Sequence, residues 1–112
     1  MKTSELTGAA LDWAVAKCEG IDYVEGDVRF RGAYARKYST DWAQGGLIIE
    51  RERLSLYDIG GDEWGCDDNL TPRSTGLTPL VAAMRCYVAS KLGDEVDIPT
   101  ELTDFTGLTE EK

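Results

Sequence analysis

The chain has 112 residues, of which 12 are basic and 21 acidic, giving a net charge of −9 with an apolar fraction of 42%. That length buries one compact core but not two, and no apolar run approaches the ~20 residues of a membrane helix. Histidine is absent, which removes the commonest general base and the commonest metal ligand together and excludes Ser-His-Asp and Cys-His hydrolases.

In chain order, the opening MKTSELTGAALDW places Glu5 and Asp12 where a signal peptide would be apolar, so export is not expected. Leu11, Ala14, Val15 and Cys18 recur at helical spacing and predict a helix over 7–19. Thr7 is its expected N-cap, Asp12 faces the positive end of the dipole, and Gly20 ends it. Asp22 to Gly32 reads as two extended runs around Gly26. Leu47-Ile48-Ile49, after Gly45-Gly46, is a short apolar run in the same strand-like middle, and Leu54 and Leu56 alternate with Ser55 and Tyr57. Gly60-Gly61-Asp62 marks a turn, Glu63-Trp64 opens another extended piece, and Gly65 to Gly76 has the composition of an exposed loop.

Thr78-Pro79 is the favoured order for an N-cap followed by the first helical residue. It opens an unbroken helix over 78–92 that Gly93 closes. The apolar stripe of Leu80, Met84, Tyr87 or Val88, and Leu92, widened by Ala83 and Cys86, implies contact with a sheet and with the first helix. The expected fold is α+β, a single domain over residues 1–102. Its two main helices, 7–19 and 78–92, pack on a small antiparallel sheet from 22–64. Ile98 and Leu102 are expected to dock on the core, and 103–112 to form an acidic, flexible extension.

Charge is uneven along the chain. Residues 1–57 hold 8 basic and 9 acidic side chains, whereas 58–112 hold 4 and 12. Few cations are present to displace phosphate counterions, which argues against direct nucleic-acid binding. Against the trend, Arg29, Arg31, Arg36 and Lys37 form a local basic run without an acid, suited to gripping phosphate or carboxylate. The cysteines Cys18, Cys66 and Cys86 contain no CxxC pair, so neither a zinc site nor a disulfide framework is suggested. Cys18 and Cys86 fall on apolar helix faces, leaving Cys66, in the polar loop, as the expected reactive thiol.

Two segments concentrate chemistry. Tyr38-Ser39-Thr40-Asp41-Trp42-Ala43-Gln44-Gly45-Gly46 combines aromatic faces (Tyr38, Trp42) with polar groups at Ser39, Thr40, Asp41 and Gln44. Gly76-Leu77-Thr78-Pro79 opens a helix, where backbone amides attract anions. The two segments are expected to meet, placing a ring on Trp42 and Tyr38 and an anion near Arg29, Arg31, Arg36, Gly76 and Thr78. Trp42 could equally be core, and for Thr78 the simple cap is the favoured reading. No phosphate-loop or dinucleotide fingerprint is present. No catalytic residue, metal site or cofactor is assigned.

The runs YSTDWAQGGLIIERERLSL and GLTPLVAAMRCYVASKLGDEVDIPTEL, with TSELTGAALDWAVAKCEG at the start, resemble the NinX-like family of small phage and prophage proteins over about residues 3–102. The chain has Leu47 and Leu77 where members of that family often have proline. The resemblance implies a phage gene expressed in the cytoplasm of a bacterial host and does not imply an enzyme.

Three functional readings stand at this point. The first is a non-enzymatic binder of a nucleotide-like small molecule, such as a host defence signal, with a site that could lie at a homo-oligomer boundary. The second is an acidic interaction protein or decoy that inhibits a host protein. The third is a small histidine-free enzyme with Asp41 and Glu50 as first candidates for acid–base work.

Overall fold

The computed structural model describes residues 1–20, 37–68 and 73–98. In order, a 3₁₀ turn at Thr3–Glu5 leads into α1 (Gly8–Cys18), α2 (Trp42–Glu52), β1 (Ser55–Gly60), β2 (Glu63–Asp67), β3 (Ser74–Gly76) and α3 (Pro79–Leu92). The architecture is α+β. The strands form one antiparallel sheet in the order β1-β2-β3, and α3 packs along it with α1 and α2 against α3.

The sequence signals of α3 act as read. Thr78 Oγ1 accepts from the Val81 amide at 3.1 Å, Pro79 follows in the first turn, and Gly93 ends the helix at φ 89°. Leu80, Ala82, Ala83, Met84, Cys86, Tyr87 and Val88 are all buried, because the helix is covered by the sheet on one side and by α1 and α2 on others. α1 also forms where expected and passes into Gly20 at φ 85°. Its start differs in mechanism. Thr7 occupies the N-cap position without a side-chain bond to the helix. Asp12 is buried and accepts from the Ser39 amide at 2.9 Å rather than serving the dipole.

The middle of the chain corrects two readings. Leu47-Ile48-Ile49 lies inside α2, not in a strand. Asp41 caps that helix by accepting from the Ala43 amide at 2.9 Å. Arg53 closes it in the left-handed conformation, φ 57°, while the Leu54 amide reaches back to Ile49 O at 3.1 Å, a Schellman-type end. Two glycines cost a helix ~1 kcal/mol each. Here Gly45 is required by packing, since a Cβ on it would stand 2.7 Å from Leu80 Cδ2 and still closer to Tyr38 O.

The second correction concerns the sheet, whose described part runs from 55 to 76 rather than from 22 to 64. Gly65 to Gly76 is therefore not a continuous loop. Cys66 sits in β2 opposite Leu56 and is fully buried, and Gly76 ends β3 against Val81 and Ala82. The hairpin reverses through Gly60, Gly61 and Asp62, all at positive φ. Residues 22–32, expected to be extended, and the C-terminal extension lie outside the described residues.

The core gathers Leu6, Leu11 and Val15, Ile48 from α2, Cys66 from β2, and Met84 and Val88 from α3. Ile98 packs on its edge. No described helix is long and apolar enough to cross a membrane.

Candidate functional site

The Tyr38–Gly46 segment is a turn feeding a capped helix. The amides of Thr40 and Asp41 both donate to Lys37 O, at 3.1 and 2.8 Å, which closes the turn. Asp41 Oδ1 takes the Ala43 amide, and its Oδ2 takes Gln44 Nε2 at 3.1 Å. Gln44 Oε1 in turn accepts from the Lys37 amide at 3.1 Å. Asp41 and Gln44 are thus engaged in building the first turn of α2.

Tyr38 and Ser39 point inward and are buried, whereas Lys37, Thr40 and Trp42 face solvent. Trp42 retains 54% exposure, so it does not fill the core. Its ring covers the outer side of Gly46, where an added Cβ would lie 3.5 Å from Trp42 Cε3.

The start of α3 meets this segment through Gly45 and Leu80. Gly76 is buried as a packing glycine, and Thr78 spends its hydroxyl on the cap. Leu77, between them, is 72% exposed, and Leu47 on the outer side of α2 is 66% exposed. Trp42 is therefore the large aromatic surface of the two segments, accompanied by the exposed Lys37. Arg29, Arg31 and Arg36 lie outside the described residues.

Beneath Trp42's turn lies a buried polar contact. Burial raises the Asp12 pKa above its ordinary value, against the lowering effect of the Ser39 bonds and of the Lys37 charge. Ser39 contributes its amide. Its hydroxyl is buried beside the same carboxyl without a well-formed hydrogen bond.

A cluster missed in the sequence joins the C-terminal ends of all three helices. Arg51 forms a bidentate pair with Glu19, at 3.1 and 2.7 Å, and Tyr87 Oη donates to the same carboxylate at 2.5 Å. Arg51 also donates to Tyr87 Oη at 3.0 Å and to Glu52 at 2.9 Å. The Arg51 hydrogen bond is the main reason that the Glu19 pKa is lowered. Glu19, Arg51 and Tyr87 are 32 to 68 positions apart, so no local pattern announces them.

The thiols correct the expected reactivity. Cys66 and Cys86 are buried, and Cys18 is half-buried with its pKa pushed up to about 11, chiefly by burial. The neighbouring Cys86 thiol and burial push Cys66 up as well. Among the described residues no group of three potential ligands could hold a metal.

Comparison with protein families finds a match over residues 2–91 to the family described as Bacteriophage P22, NinX. No curated protein matches.

Proposed function

The chain belongs to the bacteriophage P22 NinX family, and on that premise we propose that it is a non-enzymatic phage accessory protein that binds a small ligand against Trp42. The carrying observation is the 54% exposure of that indole at the start of a capped helix. A half-exposed tryptophan on a fixed turn offers a stacking face that needs little ordering when a ring arrives. Lys37, exposed in the same turn, supplies a positive charge, so the ligand class is a planar ring bearing an anionic group, as nucleotides are. Sequestering such a molecule would withdraw a host defence signal during infection. Tyr38 is buried and takes no part in stacking.

Binding is favoured over catalysis by the state of Asp41, the first acid–base candidate. Both of its oxygens are occupied by hydrogen bonds within α2. Calorimetry against a nucleotide panel tests the proposal. At least one member should bind, and Trp42→Ala should weaken it by ~1–3 kcal/mol, the range of base–aromatic stacking. Absence of binding across the panel, or equal binding by the variant, would sink it.

A second reading rests on the exposed acids Asp58, Asp62 and Glu63 around the β1–β2 turn, which suit a basic surface on a host protein. Capture of such a partner should fall steeply with salt and be lost when these acids are neutralised.

A further inference from the structure

Cys66 of β2 and Cys86 of α3 are both fully buried and belong to one core. The packing of the helix on the sheet sets them side by side. Arg85 donates from Nη1 to Thr75 O at 2.7 Å and from Nε to Leu6 O at 2.8 Å, which fixes this turn of α3 over β3. In the sheet Thr75 pairs with Gly65, and Ser74 with Cys66. The residue after Arg85 thus lies over the residue after Gly65, and the two thiols share a hydrogen bond. Cys18 stands apart from them, half-buried at the end of α1.

A thiol is a weak donor and a weak acceptor, so the contact adds little as a hydrogen bond. Its chemical capacity is oxidation. A disulfide forms only where two side chains already face one another, with sulfurs that can close to ~2.05 Å. Sulfurs in hydrogen-bonding contact across a fixed strand–helix packing meet the first condition before any reaction.

We propose that Cys66 and Cys86 are an oxidisable pair, which a low-molecular-weight disulfide converts into an intramolecular disulfide tying β2 to α3. One protein thiolate attacks the reagent, giving a mixed disulfide and releasing one reagent thiolate. The second protein thiolate attacks the protein sulfur of that mixed disulfide, forms the Cys66–Cys86 bond and releases the second reagent thiolate. The protein gives up two protons and two electrons, and the reagent takes them up as two thiols. Burial makes the reaction wait on a local opening. Adjacency governs the equilibrium, because the folded state holds together two groups that the unfolded chain must first bring together. The pair lies in elements other than α2 and does not rest on the ring-binding role of Trp42.

Equilibration in buffers of reduced and oxidised glutathione is the test. Equilibrium is approached from the reduced folded protein and by refolding the oxidised chain from urea, and is read by intact mass after acid quench. The native protein should favour the bond at least about tenfold over the same chain kept in urea, a factor equal to ~1.4 kcal/mol. The oxidised form should accordingly melt higher than the reduced form. Non-reducing proteolysis should join the Cys66 and Cys86 peptides and leave Cys18 free. Cys18→Ala should keep the bond, whereas Cys66→Ala and Cys86→Ala should lose it. Should either of these core variants fail to fold, the peptide map and Cys18→Ala carry the test. Trp42→Ala should oxidise like the parent. A native preference no greater than that in urea would overturn the proposal. So would a bond made through Cys18, or glutathione adducts in place of the Cys66–Cys86 bond.

Discussion

Gly45 of α2 rests on Leu80 of α3 so closely that a methyl group at Gly45 would stand 2.7 Å from Leu80 Cδ2. The same methyl would also run into the Tyr38 carbonyl, which belongs to the backbone and cannot rotate away. Gly45→Ala should therefore destabilise the protein by ~1–3 kcal/mol, as overpacking does. Gly46, one residue on, has only the Trp42 ring at an ordinary 3.5 Å, so Gly46→Ala should stabilise α2 by ~0.5–1 kcal/mol. Urea unfolding of the two variants checks the opposite signs. A stabilised Gly45→Ala would mean that α2 does not lie against α3 in this way.

Trp42→Ala separates surface from core. A buried large aromatic costs ~3–5 kcal/mol when truncated. With the indole 54% exposed, the loss should be ~1–2 kcal/mol, leaving a cooperative melt only a few degrees lower. A collapse in melting temperature without ligand would place Trp42 in the core and remove the stacking face.

Thiol chemistry should report burial directly. With Cys66 and Cys86 buried and the Cys18 pKa near 11, only about one Cys18 in a thousand is thiolate at pH 8. Titration of the native protein near neutral pH should find no fast thiol, and denaturant should release three. Rapid native labelling of Cys66 would contradict its place in β2.

Two carboxyls, Asp12 buried and Glu19 partly buried, should give pH dependences of opposite sign. The Glu19 pKa is lowered from 4.5, first by its Arg51 hydrogen bond. Its stabilising contribution is present above that unfolded value and is lost as pH falls through the lowered one. The Asp12 pKa is raised from 3.8 by burial. Its contribution is greatest below that value and is lost as pH rises through the raised one. Glu19→Gln should flatten the acid limb of the stability curve. Asp12→Asn, which keeps an acceptor for the Ser39 amide, should gain relative to the parent between pH 4 and neutrality. Denaturation at several pH values distinguishes them, and parallel shifts in the two variants would contradict the assignment.

Tyr87→Phe removes the phenol that donates to Glu19 and accepts from Arg51. Since the ring's packing is retained, the cost should be ~1.5–3 kcal/mol, the worth of hydrogen bonding to charged groups. A double-mutant cycle with Glu19→Gln should show coupling; additive losses would mean that the three helix ends are held by packing alone.

Local chemistry was enough to locate α1 and α3 and the turn at Gly60-Gly61-Asp62. Thr78-Pro79, Gly93 and the spacing of apolar residues act within a few positions of themselves, so the sequence determined those elements. It also determined the α+β class and pointed to the family, through runs of residues as specific as YSTDWAQGGLIIERERLSL. What it left open depended on distant neighbours. Gly45-Gly46 looked like the end of a loop because glycine disfavours helices, and only the approach of Leu80 and the Tyr38 carbonyl makes one of them necessary inside α2. Cys66 stands among polar residues, yet strand pairing with Leu56 turns it inward. Tyr38 and Trp42 are both aromatic and four residues apart. Tertiary packing buries the first and leaves the second half-exposed, because the chain turns at Lys37–Asp41 and enters α2 with only one of the two faces toward the core.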